Sequence, residues 1–281
     1  MKNIRRLLLL VGILLTGSVI SGQVYEKLED YKGISRVDKS SGITKPVTIK
    51  VIYDNFIYTA GTTADWGYSI LLGGLEKEIL FDTGTKPDLF ESNLRKIDID
   101  PQKIDILVLS HEHSDHTGGI SSFVKMKTGI PLIIPHSFTA SFEKQMSDYG
   151  LKPVLADKPS MICDNLFTSG EFDYSIAEQT LVLDTRKGLV VMTGCAHPGI
   201  IEMLRVIRKD FGKNIYMVFG GFHLMQKTQN EMEEIIAGMK DIGIVKCGAT
   251  HCTGNDQIEM FKQAFGENYF ELGVGNTIVI E

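Results

Sequence analysis

Ser110-His111-Glu112-His113-Ser114-Asp115-His116-Thr117-Gly118-Gly119 is the stretch on which the reading of this chain turns. Three histidines and a carboxylate share six residues in the pattern H-x-H-x-D-H. The run before it, Ile104-Asp105-Ile106-Leu107-Val108-Leu109, reads as a buried strand. A strand that ends in such a cluster offers imidazole nitrogen and carboxylate oxygen, ligands suited to zinc and its borderline neighbours. In extended backbone His111, His113 and Asp115 project to one side, and a turn brings His116 round to join them. The bland alternative is a set of solvated loop histidines, against which four ligand-type residues at this spacing argue.

Four residues cannot complete two metal shells, so further ligands must come from elsewhere. The other histidines are His136, His197, His223 and His251. His197 follows an expected strand and the turn Thr193-Gly194-Cys195, and His251 follows the expected strand Val245–Thr250. His223 ends Gly220-Gly221-Phe222-His223, whose glycines let backbone approach something closely. His136, behind Pro135 at a strand end, is assigned a structural role. Asp82 closes Ile79-Leu80-Phe81 and starts Asp82-Thr83-Gly84. Four cysteines show no disulfide framework. Cys195 and Cys252 lie inside the histidine-rich segments, Cys247 reads as a buried small hydrophobe, and Cys163 is uninformative.

Periodicity predicts strands at Val47–Tyr53, Tyr68–Leu72, Glu78–Phe81, Leu181–Leu183, Leu189–Met192, Ile215–Phe219 and Thr277–Ile280. It predicts helices at Pro87–Ile97, from Gly118 to Lys127, and at Ile200–Phe211, Asn230–Ile242 and Gln257–Phe265. Interleaved strands and helices mean α and β elements in packed layers. Residues 137–178 carry no legible motif. At 281 residues the chain is long enough to bury a sizeable core. Its net charge of −6 argues against a nucleic-acid partner, and a small-molecule substrate is expected instead.

The N-terminus differs from the rest. Lys2, Arg5 and Arg6 precede the apolar run Leu7–Leu15, and Thr16 to Gly22 are mostly small and polar. That is the layout of a secretory signal peptide over residues 1–22, with cleavage near Ser21 or Gly22. The run is short of the roughly 20 apolar residues a membrane span needs. The expectation is export to the periplasm or the exterior with no stable membrane insertion after cleavage; an uncleaved anchor is the alternative. Residues 23–45 read as a linker or N-terminal arm, and 46–281 as one domain.

H-x-H-x-D-H after a strand resembles the signature of the metallo-β-lactamase superfamily. Thr193-Gly194-Cys195-Ala196-His197-Pro198-Gly199-Ile200, Gly220-Gly221-Phe222-His223-Leu224 and Thr250-His251-Cys252-Thr253-Gly254 are similar to one branch of it. That branch is commonly labelled 7,8-dihydropterin-6-yl-methyl-4-(β-D-ribofuranosyl)aminobenzene 5'-phosphate synthase. The resemblance implies an α/β fold, the four-layer αββα metallo-β-lactamase-like sandwich, with the site at one edge between two sheets. It implies two divalent metal ions, zinc ahead of iron or manganese. His111, His113 and His197 would hold the first, and Asp115, His116 and His251 the second. Asp115 also orients the attacking hydroxide. His223 is a substrate contact or proton donor, with a ligand or structural role as the alternative. Asp82 is implied to orient the histidine loop without being a ligand. Cys195 stands where many members carry a bridging aspartate and some a cysteine, so it is either a metal ligand or a site wall. Trp66, in the polar loop Gly61–Gly67, is either a pocket flap or part of the core.

These residues imply an exported metal-dependent hydrolase that uses a metal-bound hydroxide on a phosphoester or related ester. The branch label suggests a phosphorylated pterin precursor, but export argues that the label is inherited. A metallo-β-lactamase or lactonase is one alternative, although the later segments look unlike true β-lactamases. A non-catalytic metal- or ligand-binding relative is another, opposed by the intact histidine set. A di-iron oxidoreductase would need a C-x-x-C pair or a glycine-rich nucleotide loop, and the sequence has neither.

Overall fold

Alternation along the strands builds two cores at once. In β5 (Ile106–Val108), Ile106 and Val108 enter one core and Leu107 the other. In β11 (Gly188–Thr193), Val190 and Met192 face that same first core, while Leu189 and Val191 face a third. Side chains alternate across a pleated strand, so a strand apolar at every position must be covered on both faces.

A computed structural model describes residues 26–27 and 42–281. The expected signal peptide, residues 1–22, lies outside the described residues. The first strands are β1 (Glu26–Lys27), β2 (Val47–Tyr53), β3 (Ser69–Gly73) and β4 (Ile79–Phe81). β5, β6 (Pro131–Pro135) and β7 (Lys152–Ala156) follow. A second group comprises β8 (Ser160–Cys163), β9 (Leu166–Thr168), β10 (Leu181–Thr185) and β11. It ends with β12 (Ile215–Gly221) and β13 (Lys246–Thr250), and β14 (Thr277–Ile280) closes the chain. One sheet runs β1-β7-β6-β5-β4-β3-β2-β14 and the other β13-β12-β11-β10-β9-β8.

The two sheets share a core of Val47, Ile49, Ile70, Phe81 and Val108 against Leu181, Leu183, Val190, Met192 and Phe219. Outside the first sheet, α1 (Pro87–Lys96), α3 (Ile120–Met126) and α4 (Ala140–Asp148) cover Leu80, Leu107 and Leu132 with Phe90, Phe123 and Met146. Outside the second, α5 (Ile200–Phe211), α6 (Gln229–Ile242) and α7 (Asn255–Phe265) cover Val182, Val191 and Val218 with Leu204, Met239 and Phe261. This is the αββα sandwich. A capping box between Thr228 and Glu231 starts α6, and left-handed Gly243 ends it.

One sequence expectation needs correction. Asp115 does not continue an extended strand with His111 and His113. A single helical turn, α2 (Ser114–Thr117), begins just after His113 and carries Asp115 and His116. The unread segment 137–178 is not featureless, for it supplies α4, β7, β8 and β9. The expected arm contributes β1, paired in parallel with β7.

Strand direction places the chemistry. β4, β5 and β6 are mutually parallel, as are β11, β12 and β13. Parallel strands share one end, so Asp82 and His111 emerge together after β4 and β5, and Cys195, His223 and His251 after β11, β12 and β13, and side-chain contacts show that the two ends meet.

Candidate metal centre

The rings of His111, His113 and His197 lie with centroids 4.6–4.9 Å apart. His116 packs against His111 at 4.1 Å and against His251 at 5.0 Å. Ligand atoms of Asp115, His116, Cys195 and His251 lie within 4.8 Å of one another. So do those of His111, Cys195 and His197, those of His111, His113 and Asp115, and those of Cys195, His223 and Cys252. His111, His116, His251 and Cys195 are buried, whereas His113 and His223 are exposed, so the cluster has a closed floor and an open lip.

Hydrogen bonds fix which nitrogen of each ring faces inward. Asp82 is fully buried and accepts from Ser110 N and Ser110 Oγ, both at 2.7 Å. With its proton on Asp82, Ser110 Oγ accepts from His111 Nδ1 at 2.9 Å. Asp82 Oδ2 also accepts from His116 Nδ1 at 2.7 Å. Glu178 Oε2 accepts from His197 Nδ1 at 2.9 Å, and Asn55 Oδ1 from His251 Nδ1 at 3.1 Å. Each of these four rings is thereby left with its Nε2 lone pair free. His111 Nε2 is buried with no hydrogen-bond partner. The Nε2 atoms of His116 and His251 face each other at 3.2 Å, and Cys195 Sγ lies 3.2 Å from the former. Two lone pairs at that distance are satisfied by a proton or a metal ion between them, and with Cys195 and Asp115 converging on the same point the residues present fit a divalent metal.

Charge agrees with that arrangement. Burial, then the neighbouring His251 imidazole, holds His116 down at about 3, which favours the neutral ring able to ligate. Burial also drives His111 well below the ordinary imidazole range. Burial pushes Asp115 up, but the His251 and His116 imidazoles beside it, His251 foremost, outweigh that and hold its carboxyl below the ordinary carboxylate range. Burial raises Asp82 to about 7. Burial likewise pushes the Cys195 thiol well up. At Cys252 hydrogen bonds with Cys195 and His223 overcome burial and favour the thiolate. The His223 imidazole is held up chiefly by that bond to Cys252, against partial burial.

The backbone around the cluster is strained. Asp82, Ala196, His223 and His251 have φ of 59°, 59°, 52° and 51°, in the left-handed region that costs a residue with a Cβ. Glycines between them allow close packing of the loops rather than a cradle for substrate. A Cβ on Gly221 would stand 2.4 Å from Gly194 O, and one on Gly194 would stand 2.2 Å from Ser110 Oγ.

Sequence reading missed three contributors. Glu178 is buried and accepts from the backbone N–H groups of Cys195, Ala196 and His197 at 2.8–2.9 Å as well as from the His197 ring. No local motif marks it, because its partners lie 17 to 19 residues on. Asn55 is far more remote still, 196 residues from His251. Glu112, inside the histidine motif, accepts from Thr139 at the start of α4 and so ties that helix to the ligand loop. Trp66 is not core. It is 43% exposed, and its indole N–H donates to Asp115 Oδ2 at 2.8 Å. His136 is exposed and belongs to none of the ligand groupings. All four cysteines are free and buried.

A family model described as the metallo-beta-lactamase superfamily matches residues 63–200. The chain is 30% identical over 270 residues to the 7,8-dihydropterin-6-methyl-4-(beta-D-ribofuranosyl)-aminobenzene-5'-phosphate synthase of Methanocaldococcus jannaschii, covering 79% of this chain and 92% of that protein. The chain belongs to the metallo-β-lactamase superfamily. Among solved superfamily structures, Tm1679, a metal-dependent hydrolase, superposes with a TM-score of 0.69 at 27% identity, over 83% of this chain and 98% of that one. The metallo-beta-lactamase fold protein YhfI from Bacillus subtilis shares the fold, with a TM-score of 0.61 at 17% identity over 84% and 100%. This superfamily member is a metal-dependent hydrolase, with its His, Asp and Cys groupings as the candidate metal site.

Proposed function

We propose that this chain is an exported hydrolase that holds two zinc ions and cleaves a phosphoester in a small molecule. The observation that carries the metal reading is the convergence of His111, His116, His197 and His251, each with Nδ1 engaged and Nε2 turned inward. His111, His113 and His197 would hold one ion, and Asp115, His116 and His251 the other, with Cys195 within reach of both sets as a further ligand. When bound, such ions supply Lewis acidity and acidify a water toward neutral pH.

The chain's own residues supply the rest. Asp82, Glu178 and Asn55 hold the ring orientations, so no reorganisation is needed when substrate arrives. Buried Cys195 and His251 exclude solvent from the floor. His223 stands at the lip with its ring 4.5 Å from that of His197. Its contact with Cys252 favours the protonated imidazole, and in this reading it gives that proton to the leaving oxygen. The M. jannaschii relative is named for a product that carries a 5'-phosphate, which supports a phosphorylated small-molecule ligand, and a phosphoester is the bond of such a ligand that this chemistry would cleave. Export is supported by the charged, apolar and small-residue layout of residues 1–22.

Elemental analysis of the mature chain, residues 23–281, paired with a panel of phosphodiester, phosphomonoester, lactone and β-lactam substrates, tests this reading. Two zinc per chain and phosphoester turnover abolished by His113→Ala are expected. In the same panel His223→Ala lowers kcat by about 10²–10⁴-fold with metal content unchanged. Turnover of the lactone or β-lactam alone would replace the substrate class, and absence of both metal and turnover would sink the hydrolase. Fractionation of cells expressing the full chain tests export, which retention in the cytoplasm would overturn.

A further inference from the structure

Residues 54–68, between β2 and β3, close over one half of the centre. The loop is anchored from outside. Asn93 on α1 is fully buried, accepts from Thr63 N at 3.1 Å, and donates to Thr63 O at 2.9 Å and Ile52 O at 3.0 Å. Asp65 accepts from Trp66 N and pairs with Lys86, and Thr85 Oγ1 donates to Trp66 O. From that frame the loop reaches inward. Asn55 Oδ1 accepts from both His251 Nδ1 and Gly67 N at 3.1 Å, and Asn55 Nδ2 donates to His251 O at 3.2 Å. Tyr68 N donates to Asp115 O at 3.1 Å. The Trp66 ring sits 4.9 Å from that of His251, with its N–H on Asp115 Oδ2. That oxygen is the one facing His251 Nε2 at 3.3 Å and His116 Nε2 at 3.7 Å.

We infer that Trp66 is a positioning residue for Asp115: its indole N–H holds Oδ2 toward His116 and His251, so that loop 54–68 completes one of the two metal positions. The inference rests on the metal reading of that grouping. A carboxylate on a helical turn has several rotamers, and the one that Trp66 holds presents an oxygen to both imidazoles. Fixing it in advance removes an ordering cost from metal binding. Phenylalanine in place of Trp66 keeps the ring and removes the donor. Trp66 is the chain's single tryptophan. Metal binding would change the charge on the carboxylate its N–H faces, so tryptophan emission would report the filling of the position that Asp115 serves.

The test is a zinc titration of chelator-stripped protein, followed by tryptophan emission and by competition with a chromophoric chelator. Two classes of zinc are expected, with emission changing in step with one of them. Trp66→Phe weakens that class by about 10–100-fold and leaves the other in place. A merely structural Trp66 would instead lower the melting temperature and weaken both classes alike. Two zinc bound with flat emission and unchanged Trp66→Phe affinity would overturn this inference while the metal reading stands. Failure of the unsubstituted chain to take up any zinc would overturn both. The emission readout needs no variant, so a Trp66→Phe chain that fails to fold leaves the inference testable.

Discussion

The two halves of the centre are built differently. The half formed by Asp115, His116, Cys195 and His251 is enclosed, with His116 braced by buried Asp82, His251 by Asn55, and Asp115 by Trp66. The half formed by His111, His113 and His197 has His113 exposed at the lip, and its third imidazole rides on a turn held by one carboxylate, Glu178. The difference teaches that pre-organisation is distributed over several partners on one side, whereas on the other His111 rests on Ser110 and Asp82 and the whole His197 turn depends on the single residue Glu178. Removing one support should therefore cost far more on the Glu178 side.

The largest effect is expected from Glu178→Ala, which strips the acceptor from three backbone N–H groups and a ring nitrogen at once. Breaking a buried charged network of this kind costs about 3–5 kcal/mol. Denaturant unfolding of the stripped protein measures it, and a loss below about 1 kcal/mol would end the claim that one carboxylate holds this side.

Asp54 sharpens the comparison through pH. It is fully buried beneath His251, accepts from Thr250 Oγ1 at 2.8 Å, and burial raises its carboxyl to about 6. Between about pH 4, where the unfolded carboxyl titrates, and about pH 6, the folded state keeps a proton that the unfolded state has released. The metal-free fold is therefore favoured below that window and loses stability as pH rises through it, by up to about 3 kcal/mol from this group. Asp54→Asn removes that slope. Unfolding curves for both proteins at several pH values decide it, and parallel pH profiles would count against it.

Asn55→Ala takes one of several supports from the enclosed half. Zinc affinity there should fall by about 10–100-fold, with the fold intact by circular dichroism. Equal weakening of both zinc classes would erase the distinction between the halves. The smallest effect belongs to His136→Ala. That residue is exposed and outside every ligand grouping, so stability should stay within about 0.5 kcal/mol and zinc content should not change.

Legibility followed the length of the physical interaction. Val47–Tyr53, Ile200–Phe211 and Thr277–Ile280 were readable to the residue, because their patterns arise from burial of their own faces. Asp82, His111, His113, Asp115, His116, His197 and His251 stood out as unusual polar residues just past apolar strands, and the fold collects them at one edge. Residues 137–178 were opaque, because β8 and β9 are short strands whose placement depends on β10, itself outside the segment. Glu178 and Asn55 were invisible for a related reason. A buried acceptor is defined by the donors that surround it, and those donors are distant in sequence. The double glycine before His223 was legible as close approach, but not as the packing of β12 onto the end of β11.

The sequence by itself determined the layered α/β architecture and the ligand types, since apolar periodicity and clustered imidazoles are local properties of the chain. Only the tertiary structure decided which ring nitrogen faces inward, that Cys195 lies between the two ligand sets, and that Trp66 sits on Asp115 rather than in the core. Those facts depend on hydrogen bonds and contacts between strand ends that meet only when the two sheets pack, and no local pattern encodes them.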